Sequence, residues 1–173
     1  MTATEPVHVA SSSDKLHQLN VTYSNKEDRL MLRVTTQLGN EYRVWMTRRF
    51  TNLLFNVLKK EMDRHGGVVT VAASKQTRQM FDAGAFNKPF EHEKTVSLPL
   101  GEQGFLAYGI KSHDSQGDVL VLELLPEKGQ GITLNLNKTL LYMLYNLLSQ
   151  GIVRAEWHRQ IEMFEDASSQ HVH

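Results

Sequence analysis

With 173 residues, 40% hydrophobic and 22% charged, the chain is long and apolar enough for one domain with a real core, which excludes wholesale disorder. It contains no cysteine, which removes disulfides, thiolate metal sites and cysteine nucleophiles, and no apolar run nears the roughly 20 residues that span a bilayer. The formal charge is zero, yet residues 1–90 hold 13 Lys and Arg against 8 Asp and Glu (+5) and residues 91–173 hold 6 against 11 (−5), so the two halves present different surfaces at close range.

The opening stretch MTATEPVHVASSSD lacks the apolar segment of an export signal and reads as a loose lead-in over 1–13, so a cytoplasmic location without membrane contact is the expectation. Leu19, Val21 and Tyr23 then alternate with polar residues, as do Leu30, Leu32 and Val34 with Arg29, Met31 and Arg33. After a turn at Gly39-Asn40, Tyr42, Val44 and Met46 alternate with Glu41, Arg43 and Trp45. This period of two predicts three half-buried strands. Thr47 stands where an N-cap belongs, and Phe50, Leu53, Leu54, Val57, Leu58 and Met62 come after it at helical spacing up to Gly66-Gly67.

A connector over 67–94 contains a predicted helix, Val69 to Ala83, stopped by Gly84. Thr95–Leu100 predicts an edge strand because of Pro99, and Phe105 to Lys111 a further strand. Leu120, Leu122 and Leu124, then Ile132, Leu134 and Leu136, alternate again. Asn137 is the second N-cap, ahead of a strongly apolar helix from Leu140 to Leu148 that Gly151 is expected to end. Trp157, Ile161 and Phe164 predict a closing helix over 152–166, with a flexible tail over 167–173.

Displacing the sequence by 90 residues superposes six identical residues over 29 positions, among them Leu30 on Leu120, Gly39 on Gly129 and Leu54 on Leu144, and aligns the two caps. The expected fold is therefore α+β: one globular domain over 14–166 built from two related strand-strand-strand-helix units, 15–66 and 95–151, each helix covering its own sheet.

Catalytic signatures are lacking. The eight histidines form no HxxxH or HExxH pair, no GxSxG elbow occurs, and neither GxxxxGK[ST] nor GxGxxG is present. Glu27-Asp28 and Glu165-Asp166 lie in a turn and near the C-terminus, where a general acid and base would not be held rigidly. The expectation is a non-enzymatic protein with neither cofactor nor metal.

One constellation carries chemistry. If the aliphatic residues of the first unit face its helix, alternation places Arg29, Arg33, Arg43 and Trp45 together with Met31 on the opposite sheet face. Guanidinium and indole groups stack on unpaired bases and neutralise phosphates. Arg48 and Arg49 stand directly after the cap, where the helix dipole disfavours cations by roughly 0.3–1 kcal/mol each, so an anionic partner is implied. That partner is nucleic-acid phosphate, a carboxylate of the acidic half, or an acidic patch on another protein. The candidate ligand-binding residues are thus Arg29, Arg33, Arg43, Trp45, Arg48 and Arg49.

In topology, over roughly residues 15–150, this doubled arrangement of antiparallel strands and a helix resembles that of Whirly and Pur-type proteins, which bind single-stranded nucleic acid. The resemblance implies a sheet face or edge that stacks bases and oligomerisation through helices, and it assigns no individual residue. The isoelectric point of about 7.1 weighs on the other side, since nucleic-acid binders usually concentrate more positive charge. The alternative expectation is a protein-interaction or assembly module. In it the Trp45 face meets an acidic surface, and the apolar Leu140–Leu148 helix is either buried within the monomer or paired with a second copy.

Overall fold

Period-two alternation decides which side of each strand turns inward, and the structure, a computed structural model describing residues 4–82 and 90–157, sorts both halves in this way. In chain order the elements of the first half are β1 (Val7–His8), β2 (Leu16–Ser24), β3 (Arg29–Thr36), β4 (Glu41–Met46) and the helices α1 (Arg48–Arg64), α2 (Val68–Ala72) and α3 (Lys75–Asp82). A short 3-10 turn at His92–Lys94 precedes β5 (Phe105–Leu106), β6 (Gly109–Ser115), β7 (Val119–Leu125), β8 (Ile132–Leu136) and α4 (Lys138–Arg154). The fold is α+β, with two four-stranded mixed sheets ordered β2-β3-β4-β5 and β1-β8-β7-β6.

Each sheet is an antiparallel meander of three consecutive strands with a fourth strand added parallel to the third, β5 on β4 and β1 on β8. The fourth strands cross over: the chain start completes the later sheet, and the segment after the connector completes the earlier one. Leu30, Leu32, Val34, Val44 and Met46 have no exposed surface, and they share one core with Leu120, Leu122, Leu124, Ile132, Leu136 and the helices.

Both long helices begin as their caps dictate. Thr47 Oγ1 accepts from the Phe50 amide at 3.2 Å and Asn137 Oδ1 from the Leu140 amide at 2.9 Å, each satisfying a first-turn donor. Both helices have 17 residues. Asp28 and Asp118 take the same left-handed conformation (φ 49° and 57°), as do Gly39 and Gly129 (φ 87° and 99°). Phe55 and Tyr145 stack with centroids 4.6 Å apart. Replacing Asn137 by Ala is expected to lower stability by about 1 kcal/mol, read as a reduced urea midpoint with unchanged slope.

Several expectations need correction. The lead-in is not loose throughout, because Val7 and His8 pair with Ile132 and Thr133, and Val9 is buried in the core. The connector helix is two helices, because the Ser74 hydroxyl bonds Thr77 and interrupts the first to start α3. Gly84 lies outside the described residues. Thr95–Leu100 forms no strand but makes one bridge, Ser97 to Asn40. The strand expected over Phe105–Lys111 divides at Ala107-Tyr108, sending β5 to the first sheet and β6 to the second.

Gly151 does not end α4. It lies within the helix facing β2 and β3, where an added Cβ would meet Leu30 and Val21 side chains at 3.0–3.1 Å, so its missing side chain lets the helix approach the sheet closely. Trp157 is buried just beyond the helix, and the remainder of the closing helix, with Ile161 and Phe164, lies outside the described residues.

The apolar helix α4 packs largely within the chain, with Leu141, Leu144 and Leu148 buried and Leu140, Tyr142, Tyr145, Leu147 and Ile152 partly buried. It packs on α1, α2, α3, β2 and β8, and no residue from Thr139 to Ile152 is exposed. No helix among the described residues is long and apolar enough to cross a membrane.

Candidate functional site

The outer face of the first sheet is built by register. Its rows run Thr22–Met31–Trp45–Leu106, Asn20–Arg33–Arg43 and Gln18–Thr35–Glu41, with Arg29 opposite Ser24 at the strand end. The predicted sorting therefore holds: the aliphatic residues face the helices, and Arg29, Met31, Arg33, Arg43 and Trp45 share the other side, each of the five half-buried.

Glu41 governs the electrostatics of this face. It is the first residue of β4, two before Arg43 and four before Trp45, and its side chain is 1% exposed. Arg43 Nε donates to it at 2.6 Å, Thr95 Oγ1 at 2.5 Å, and Arg33 Nε stands 4.0 Å away. Burial pushes the Glu41 carboxyl up, but the bonds from Thr95 and Arg43 and the two guanidinium charges outweigh it and hold the group below the usual glutamate value. Burial likewise lowers the Arg33 guanidinium, against the opposing pull of Glu41 and with the help of Arg43.

Two cations thus share one buried carboxylate, and a net positive charge remains. Sequence reasoning placed Glu41 on the correct face by alternation but did not carry it into the site. The signal was the i, i+2 spacing of a carboxylate and an arginine on one strand.

The segment between the halves lies across part of this face. The Phe90 ring centroid is 5.1 Å from the Arg33 guanidinium carbon, in cation–π range. Arg43 Nη1 donates to the Glu102 carbonyl at 2.7 Å and Trp45 Nε1 to the Gln103 carbonyl at 3.1 Å. Nothing local in the sequence could announce these long-range partners. Arg29 stands 3.7 Å from Glu27, an exposed pair worth about 0–1 kcal/mol. The open part of the face is consequently the Met31–Trp45–Leu106 row, with guanidiniums on both sides.

Arg48 and Arg49 are not gathered into that cluster. No acidic residue occupies the first turn of α1. The charge of Arg48 instead acts on Asp28 in the β2–β3 turn, whose carboxyl is held low by the Tyr23 hydroxyl (2.8 Å) and the Trp157 indole (3.1 Å), with Arg48 adding to the effect and burial opposing it. Part of the compensation expected for this basic pair is therefore internal. Arg49 is exposed beside Asn52, Leu53 and Asn56 along the outward side of α1. Trp157→Phe removes one of the two donors to Asp28 and is expected to cost about 1 kcal/mol by chemical denaturation.

A second charged cluster ties the halves together. Arg64 bridges Glu61 at 3.0 Å and Asp114 at 2.5 Å, and His65 lies 3.2 Å from Glu61, beside a cleft of about 260 Å³ between α1 and β6. Among the described residues no group of three or more His, Asp or Glu stands close enough to hold a metal ion. The chain matches no family model, no curated protein and no solved structure.

Proposed function

We propose that the protein acts by binding rather than catalysis, and that it holds single-stranded nucleic acid on the outer face of the first sheet. The observation that carries this reading is the half-exposed Trp45 indole, in one row with Met31 and Leu106 and flanked by Arg29 on one side and Arg33 and Arg43 on the other. An unpaired base offers a π face to indole and guanidinium, and its phosphate meets the charge left over by Glu41. In this reading the two halves are copies of one unit, of which the first has kept the basic, aromatic surface.

The test is fluorescence anisotropy of labelled dT20 at about 50 mM salt, where phosphate contacts are strongest. Binding is expected to weaken about tenfold in Trp45→Ala, as befits the loss of one stacked base. It should also weaken in Arg29→Ala and fall steeply with added salt. Absence of binding at low salt, or indifference to both substitutions, removes the proposal.

An acidic protein surface is the second reading. It is favoured by the part of the positive charge that Glu41 already offsets and by the exposed Leu106 and Tyr108 beside the row. Light scattering on the same samples measures whether that partner is a second copy of the chain.

A further inference from the structure

The row next to Trp45 contains two buried atoms without hydrogen-bond partners among the described residues, the Asn20 carbonyl oxygen Oδ1 and Arg33 Nε. They belong to directly opposed residues of β2 and β3, and one is an acceptor and the other a donor. Leaving such atoms buried and unpaired is unfavourable, so native structures seldom keep them without a reason. Beside them Phe90 covers the Arg33 guanidinium, occupying the place a stacked base would take.

The segment from Phe90 to Ser97 is held to the sheet mainly by polar contacts. Glu91 reaches His17 at 3.0 Å, its amide donates to Gln18 Oε1 at 3.2 Å, and Thr95 reaches Glu41. The amides of Val96 and Ser97 donate to the Gly39 carbonyl at 2.8 and 3.1 Å. Val96, its one aliphatic residue, is 82% exposed and contributes almost nothing to the core. By contrast Leu100 and Phe105, further along, pack against the core and anchor the chain there. A segment attached by exchangeable hydrogen bonds, with its Phe90 ring over the Arg33 guanidinium and next to the unsatisfied donor and acceptor, is one that a ligand able to bond both atoms can displace.

We infer that Phe90–Ser97 is a displaceable cover of the Asn20–Arg33 spot, with the Phe90 ring standing in for a base; the identity of the competing ligand rests on the nucleic-acid reading above. Opening of the cover bares the Asn20 acceptor and the Arg33 donor, extending the Trp45 row into a surface that both stacks a base and meets its edge.

Two measurements test this on the full chain. Native-state amide exchange by NMR reads the opening directly, because Val96 and Ser97 amides bond only across the cover. They are expected to exchange at least 100-fold faster than the β3–β4 ladder amides. Thiol labelling of Asn20→Cys, in a chain without other cysteines, is expected to proceed faster than global unfolding. Exchange or labelling only at the global unfolding rate overturns the inference.

The second measurement is dT20 anisotropy for the native chain and for Phe90→Ala, in which removal of the ring is expected to tighten binding at least fivefold. Equal or weaker binding by Phe90→Ala overturns the competition. If neither protein binds dT20, the nucleic-acid reading falls, while the opening stands on the exchange data alone.

Discussion

Glu41→Gln is expected to destabilise the fold by about 3 kcal/mol, the lower end of the cost of removing one partner from a buried ionic cluster. The substitution keeps shape and an acceptor for Thr95, but Arg33 and Arg43, whose side chains are each 21% exposed, lose the carboxylate they share. For a chain of this length that corresponds to a fall in Tm of about 6–12 °C. The pH dependence carries a second signature. Because folding holds the Glu41 carboxyl below its ordinary value of 4.5, its contribution is fully present above that value and is lost as pH falls through the lower folded value. Stability measured by denaturant titration should therefore decline less between neutral pH and pH 3 in the variant than in the native chain. A variant as stable as the native protein, with the same acid dependence, would show that Glu41 does not organise the arginines.

Gly104→Ala is expected to cost more than 2 kcal/mol and to disturb the candidate face specifically. Gly104 has φ +65°, a conformation that costs an L side chain roughly 1–2 kcal/mol, and an added Cβ would collide with the Arg43 carbonyl oxygen and lie 2.7 Å from the Arg43 Cβ. Those atoms belong to β4, so relief requires the segment carrying Glu102 and Gln103 to move off the strand. Arg43 and Trp45 then lose their carbonyl acceptors. In a Trp157→Phe background Trp45 is the one remaining tryptophan, and its emission should shift to the red as the indole gains water. Unchanged emission together with a large loss of stability would mean that the segment yields elsewhere.

The legible parts of this fold are those determined within a few residues. Alternation in Arg29–Val34 and Glu41–Met46 ordered the two faces correctly because one side of a strand must enter the core and the side-chain period is two. The caps Thr47 and Asn137 were readable because a short side-chain oxygen ahead of an apolar helical stripe satisfies a donor three residues on. Gly151 was misread for a related reason. A glycine near the end of a helical stripe suggests a stop, whereas here it marks close contact with Leu30 and Val21, which no local pattern encodes.

The site was legible to a lesser degree. Arg33, Arg43 and Trp45 were placed on one face, and so was Glu41, yet the partial offset of the two arginines by one shared carboxylate depends on its being only 1% exposed. That burial comes partly from Thr95, 54 residues away. The crossing of β1 and β5 into opposite sheets was likewise beyond reach, since a two-residue strand has too little periodicity to declare its neighbour.

By itself, then, the order of residues determined the inward and outward sides of the long strands, the starts of both long helices and the α+β class, because these rest on backbone geometry and burial repeated every two or 3.6 residues. Tertiary structure alone decided which strands complete which sheet, which segment lies over the basic face, and how much of its charge is left for a ligand. Those outcomes depend on hydrogen bonds and desolvation between groups tens of residues apart, whose strength is set by burial that only the folded chain creates.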